Sequence, residues 1–262
     1  MRCSEIIERL ENLSPLSFAE EWDNIGLLAG RRDKEVKSIY IALDATDEVI
    51  EDAIRQEADM LLTHHPLIFT KLNRIDTDHF IGRRLFKLIQ NDISYYAMHT
   101  NFDVMGMADA AADELSLQDR QVLELTYEDD ISKEGIGRFG RLKEQMSLLT
   151  CAELVKKVFQ LESVRVWGKG NKIIEKVALA PGSGGSCIRH ALALGADVLI
   201  TGDIDHHEGI DAVAQGLAII DAGHYGIEKI FIPYMYDFLK REIPEIEVYK
   251  ETPQNPFWVL AD

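Results

Sequence analysis

Four short segments hold the side chains able to do chemistry: "THHP" with His64 and His65, "HTNFD" with His99 and Asp103, "GDIDHHEG" with Asp203, His206 and His207, and "GHYGIE" with His224 and Glu228. Imidazole nitrogens and carboxylate oxygens together suit zinc, iron or manganese and do not choose among them. Each segment follows an apolar run, so each should close a strand. A doubled histidine at the end of a buried strand is expensive to satisfy without a metal or a hydrogen-bond network. Successive side chains of a regular strand point to opposite faces, so His64 and His65 either splay toward two ions or need a turn in the backbone. Pro66 keeps His65 out of the helical region. His224 and Glu228, four apart, share one face if a helix begins there. Asp103, with two oxygens, can bridge ions about 3.5 to 4 Å apart. The expected site is three imidazoles and two carboxylates, His64, His65, His224, Asp103 and Glu228, around two divalent cations. His99 and His207 are read as proton carriers, with His99 also orienting a ligand or substrate. Asp23, Asn24 and Asp203 are read as supports or substrate contacts. Trp22 is assigned to packing, and His79, His190 and His206 to surface or packing.

The elements that must position these residues alternate. "SEIIERLENL" places Ile6, Ile7, Leu10 and Leu13 on one helical face, with Ser4 as its N-cap. "SIYIALDAT", "DEVIEDAIRQE" and "ADMLLTHHP" read as strand, helix and strand, a unit that implies a right-handed crossover and a parallel sheet. A helix "HFIGRRLFKLIQND", a strand "ISYYAMHT" and a helix "ADAAADELSL" follow. The plan then repeats. Residues 39–63 align without a gap on 177–201, an offset of 138, and 7 of the 25 positions are identical, among them Ala58/Ala196, Asp59/Asp197, Leu61/Leu199 and Thr63/Thr201. The duplication predicts two pseudo-symmetric α/β halves, about 1–130 and 135–262, with mixed, largely parallel sheets packed with helices and the metal site between them. It also predicts approximate twofold symmetry, with equivalent strand ends near one another, where ligand sites of open α/β sheets lie. "GIGRFG" matches a dinucleotide-binding pattern by letter only and reads as a glycine-rich turn leading into a strand. "LLTCAELVKKVFQ" is a helix with Thr150 as its cap.

A formal net charge of −17 over 262 residues argues against sequence-independent binding to nucleic acid or to an anionic membrane surface. An anionic substrate would need a local positive charge, which a metal centre supplies. No long apolar run or signal-like start is present, so a cytoplasmic protein is expected. Cys3, Cys151 and Cys187 are scattered and read as inert buried thiols.

"EEWDNIGLLAG", "LLTHHPLIF", "HTNFDV", "GRFG", "TGDIDHHEG" and "DAGHYGIEK", in this order and spacing, resemble the NIF-three-like proteins, also called GTP cyclohydrolase I type 2 homologues, over essentially the whole chain. The resemblance implies one compact domain over 1–262, without the domain that longer members insert between the halves. It implies two divalent metal ions on His64, His65, Asp103, His224 and Glu228, and a toroidal homohexamer with metal sites facing an internal cavity. The activity it suggests is metal-assisted hydrolysis of a small-molecule substrate, a nucleotide or related heterocycle, with attack at C8 of guanine and formate release in the cyclohydrolase case. A dinuclear phosphoesterase shares every ligand. A metal-binding assembly or regulatory protein without catalysis is the third reading.

Overall fold

The computed structural model of the protein describes residues 1–260. Helix α1 (Cys3–Leu13) buries Cys3, Ile6, Ile7 and Leu10. Its N-cap is Arg2 and not Ser4, because Glu5 reaches back to accept from the Arg2 N–H at 2.6 Å and closes the turn earlier. The chain continues through β1 (Gly26–Ala29), β2 (Ser38–Ala42), α2 (Asp47–Arg55), β3 (Met60–Thr63), α3 (Phe80–Gln90), β4 (Ser94–Ala97) and α4 (Thr100–Phe102). Every residue of β2, β3 and β4 is buried, as strands covered on both faces require. Thr46 caps α2 by accepting from the Val49 N–H at 3.2 Å.

A π-helical turn (Asp103–Met107) then leads into α5 (Ala108–Glu114), β5 (Gln118–Glu128), β6 (Lys133–Ser147), α6 (Leu148–Val158), β7 (Arg165–Trp167) and β8 (Ile173–Ser183). Next come α7 (Ile188–Ala193), β9 (Val198–Gly202), α8 (His206–Ala214), β10 (Ala218–Asp221) and α9 (His224–Glu228), then α10 (Phe231–Glu242) and β11 (Glu247–Lys250). Residues 135–140 are not a turn but part of β6, where glycine admits close strands: a Cβ on Gly135 would lie 2.0 Å from the Glu124 carbonyl oxygen. Ser147, and not Thr150, caps α6, its hydroxyl accepting from the Thr150 N–H at 3.1 Å.

Two compact units result. One comprises Met1–Phe102 and Phe231–Pro253, the other Asp103–Ile230 and, of the described residues, 254–260. The boundaries cut across the duplication: the π turn and α5 fall in the second unit, while α10 and β11 return to the first. The first unit holds a five-stranded sheet ordered β1-β4-β3-β2-β11, parallel except where β1 meets β4. The second holds six strands ordered β5-β6-β8-β9-β10-β7, parallel only through β8, β9 and β10.

The duplication extends to register and hydrogen bonds. Ile39, Tyr40 and Ile41 pair with Met60, Leu61 and Leu62, and the residues 138 further on, Val177, Ala178 and Leu179, pair with Val198, Leu199 and Ile200. Asp59 accepts from the Lys37 and Ser38 N–H groups at 2.8 and 3.2 Å, and Asp197 accepts from those of Glu175 and Lys176 at 3.0 and 2.8 Å. Lys34 donates to the Asp59 carbonyl and Lys172 to that of Asp197, at 2.9 and 2.5 Å. The shared aspartate of "AD" thus ties the start of each crossover to its neighbour. The three cysteines are buried thiols, and burial raises those of Cys151 and Cys187 to about 11 and 12. Among the described residues no helix is long and apolar enough to cross a membrane.

Candidate metal centre

In the first unit the functional side chains sit where β3 and β4 end. The backbone turns sharply at His65. Its N–H donates to the Leu43 carbonyl at 2.9 Å, while its own carbonyl accepts from the Thr63 and Tyr95 hydroxyls at 2.8 and 3.1 Å. The Tyr95 hydroxyl also accepts from the Leu67 N–H at 2.7 Å, and burial pushes its pKa to about 12, so it stays a donor. The His64 and His65 ring centroids lie 4.8 Å apart with their planes tilted by 51°, and His99 stands 5.2 and 5.5 Å from them. His64, His65 and His99 each offer a nitrogen within 4.8 Å of the others, a group able to hold a cation.

What fixes these rings is visible on the other nitrogen of each. His64 is fully buried, and its Nδ1 lies 2.8 Å from the Met98 carbonyl oxygen, which can only accept. His65 Nδ1 meets Asp44 at 2.9 Å and His99 Nδ1 meets Asp23 at 2.9 Å. An acceptor at Nδ1 places the proton there and the lone pair on Nε2. Asp23 accepts besides from the Thr100 N–H and hydroxyl at 3.0 and 2.6 Å and from the Asn24 N–H at 2.8 Å. Burial alone would raise its pKa, but the hydrogen bonds from His99 and Thr100 outweigh it and hold the carboxyl below the usual range.

In the second unit His224 and Glu228 start and end α9. His224 Nε2 lies 3.0 Å from Glu228 Oε2, and its Nδ1 lies 2.8 Å from Asp203 Oδ2. A nitrogen and an oxygen donor at that spacing share one positive charge, a proton or a metal ion. Asp203 occupies the position that the repeat equates with His65, and its φ of 57° puts a non-glycine residue in the left-handed region. Gly202, equated with His64, has no room for a side chain: a Cβ would come within 2.5 Å of the His224 backbone nitrogen. Gly182, equated with Asp44, clears the Glu228 carboxylate, since a Cβ would meet Oε1 at 2.3 Å.

Asp103 opens the π turn that runs into α5. Arg138, of "GRFG", anchors that stretch: it is buried, grips Asp109 of α5 with two hydrogen bonds of 2.7 Å and donates to the Gly135 and Gly137 carbonyls at 2.9 and 2.8 Å and to that of Val104 at 3.4 Å. His207 is exposed in the first turn of α8, its ring 5.2 Å from that of His206. His79 is the exposed N-cap of α3, and His190 faces Glu124 at 3.5 Å. Trp22, assigned to packing, is instead 61% exposed.

Asp44, Tyr95, Arg138 and Gly182 were not singled out in the sequence. Asp44 was findable, as the acidic residue closing β2 beside a strand that ends in histidine. The others act through contacts between distant segments and leave no local pattern.

A profile of the family described as Duf34/NIF3 (NGG1p interacting factor 3) matches residues 1–256. A Clostridium perfringens protein named GTP cyclohydrolase 1 type 2 homolog is 38% identical over 230 residues, 87% of each chain. One of the same name from Campylobacter jejuni is 30% identical over 262 residues, 98% of this chain and 99% of that one. Among solved structures, a Bacillus cereus protein related to NIF3 superposes with a TM-score of 0.91 at 27% identity and covers 99% of both chains.

Proposed function

Because this chain belongs to the Duf34/NIF3 family, we propose that it is a dinuclear metal protein acting as a metal-dependent hydrolase on a nucleotide or related heterocycle. His64, His65, Asp103, His224 and Glu228 would hold the two divalent cations, of zinc, iron or manganese. The observation that carries this is the state of the imidazoles: His64, His65 and His224 each have Nδ1 against an oxygen acceptor, so their donor set fits a cation at Nε2. The five residues lie in two units, and their assignment to one centre rests on the repeat and on the order of the motifs.

Bound cations supply a local positive charge on a chain of net charge −17 and lower the pKa of water. The chain's own residues supply the proton handling. Asp23, held ionised by its hydrogen bonds, keeps the His99 Nδ1 proton in place, so His99 exchanges protons at Nε2. His207, exposed on α8, is the second proton carrier proposed. Chains of this kind would assemble as a homohexamer.

Elemental analysis of protein purified without added metal or affinity tag tests the centre. About two equivalents per chain are expected, falling by about one in His65→Ala; an unchanged count would remove His65 from the ligands. Incubation with GTP then separates the chemistries, formate marking a cyclohydrolase and phosphate a phosphoesterase. Release of neither product from a panel of nucleotides by the metal-loaded protein would leave the non-catalytic metal-binding reading. Light scattering reads the assembly, where six chains are expected.

A further inference from the structure

Beside the three clustered histidines the first unit displays two large aromatic side chains. Trp22 is 61% exposed and Phe69 is 52% exposed, yet both address the same imidazole: their rings stand 5.9 and 5.6 Å from that of His99, at interplanar angles of 75° and 76°. The two exposed rings thus flank one imidazole of the histidine cluster.

Both segments are tied down close to the rings. Before Trp22, the Glu20 N–H donates to the Thr100 hydroxyl at 3.0 Å, and after it Asp23, with a fully buried side chain, accepts from His99 and Thr100. The Asn24 side chain donates to the Ile68 carbonyl at 2.7 Å, which joins the Trp22 segment to the residue preceding Phe69. The Leu67 N–H is held by Tyr95. Rings presented on a hydrogen-bonded frame lose little conformational freedom when a ligand covers them.

We propose that Trp22 and Phe69 form a stacking platform for the planar heterocycle of the substrate, placing its ring beside His99. This rests on the proposed hydrolase reading and names its substrate class as an aromatic base rather than a sugar phosphate or phosphate alone. Stacking on an aromatic side chain suits any planar base, because every base presents a π-face. Asp44, with a side chain 46% exposed and one oxygen on His65 Nδ1, retains acceptor capacity for a ring N–H.

Calorimetric titration of the full chain with guanosine 5′-monophosphate, ribose 5-phosphate and inorganic phosphate tests this, in metal-stripped and zinc-loaded protein. The native chain should prefer the monophosphate to ribose 5-phosphate. In Trp22→Ala and in Phe69→Ala that preference should fall about tenfold, equivalent to about 1.4 kcal/mol, with ribose 5-phosphate unaffected and the metal count unchanged. Trp22→Phe should restore most of it. An equal preference in the native chain and both alanine variants overturns the platform. So does a Trp22→Ala variant whose mass in solution changes while its preference does not, since the exposed indole would then serve a contact between copies. A protein that takes up no zinc on incubation but keeps a Trp22-dependent preference would refute the metal centre and support the platform.

Discussion

Replacing Gly182 by alanine probes the Glu228 carboxylate without touching it. Gly182 has a φ of +75°, and a Cβ there would lie 2.3 Å from Glu228 Oε1 and 3.7 Å from His224 Nε2. An L-residue in the left-handed region costs roughly 1–2 kcal/mol. Ordinary contact begins near 3.4 Å, so the carboxylate must also retreat by about 1 Å, which breaks its 3.0 Å approach to His224. Losing a hydrogen bond to a charged group costs about 1.5–3 kcal/mol more. Gly195 is the control, because it has a similar φ of +69° and nothing within 4 Å of its Cβ position, away from the proposed ligands. Gly195→Ala should therefore cost only the backbone strain, and the shared effect of alanine on the unfolded chain cancels between the two variants. Urea unfolding should place Gly182→Ala below Gly195→Ala by about 1.5–3 kcal/mol, and metal content should fall in the first. Equal stabilities, within about 0.5 kcal/mol, with equal metal content would refute the coupling of Gly182 to Glu228.

Three further outcomes are expected. Arg138→Met should cost about 3 kcal/mol, the low end for a broken buried pair because Asp109 is 48% exposed, and should speed amide exchange over residues 103–107; a loss below about 1 kcal/mol would count against its anchoring role. Burial, with nearby Asp44 and Asp52, raises the Glu251 pKa above its ordinary 4.5 against the opposing hydrogen bond from the Leu43 N–H. The folded state therefore holds this proton more tightly, and the stability it contributes is full below about pH 4.5 and lost as pH rises through the raised value. Glu251→Gln, which keeps an acceptor for Leu43, should flatten that part of the pH profile and be no less stable at pH 7; a steeper profile would reverse the sign. Lys34→Met and Lys172→Met should each cost about 1–3 kcal/mol by removing the charged donor from the Asp59 and Asp197 carbonyls, which keep only the Ser94 and Ala218 N–H groups, Lys34 more because its side chain is only 7% exposed. Equal losses would show that burial does not separate the two copies.

The sequence by itself determined the duplicated α/β plan and the strand ends where the histidines gather. Periodicity and identity at a fixed offset are local properties of the chain, and the hydrogen bonds of Asp59 and Asp197 show how literally they carry into structure. Helix starts were less legible. Ser4 and Thr150 are good caps by residue type, but a residue two or three positions earlier had the N–H or hydroxyl placed to close the turn. Only the tertiary structure decided that the backbone turns at His65, because that depends on Thr63, Tyr95 and Leu43 meeting one residue. It alone showed why glycine stands at 182 and 202, where the neighbouring atoms belong to α9, and that Trp22 faces solvent beside His99. Residue type and spacing select the donor atoms, whereas the tautomer, approach and exposure of each are set by partners far away in the chain.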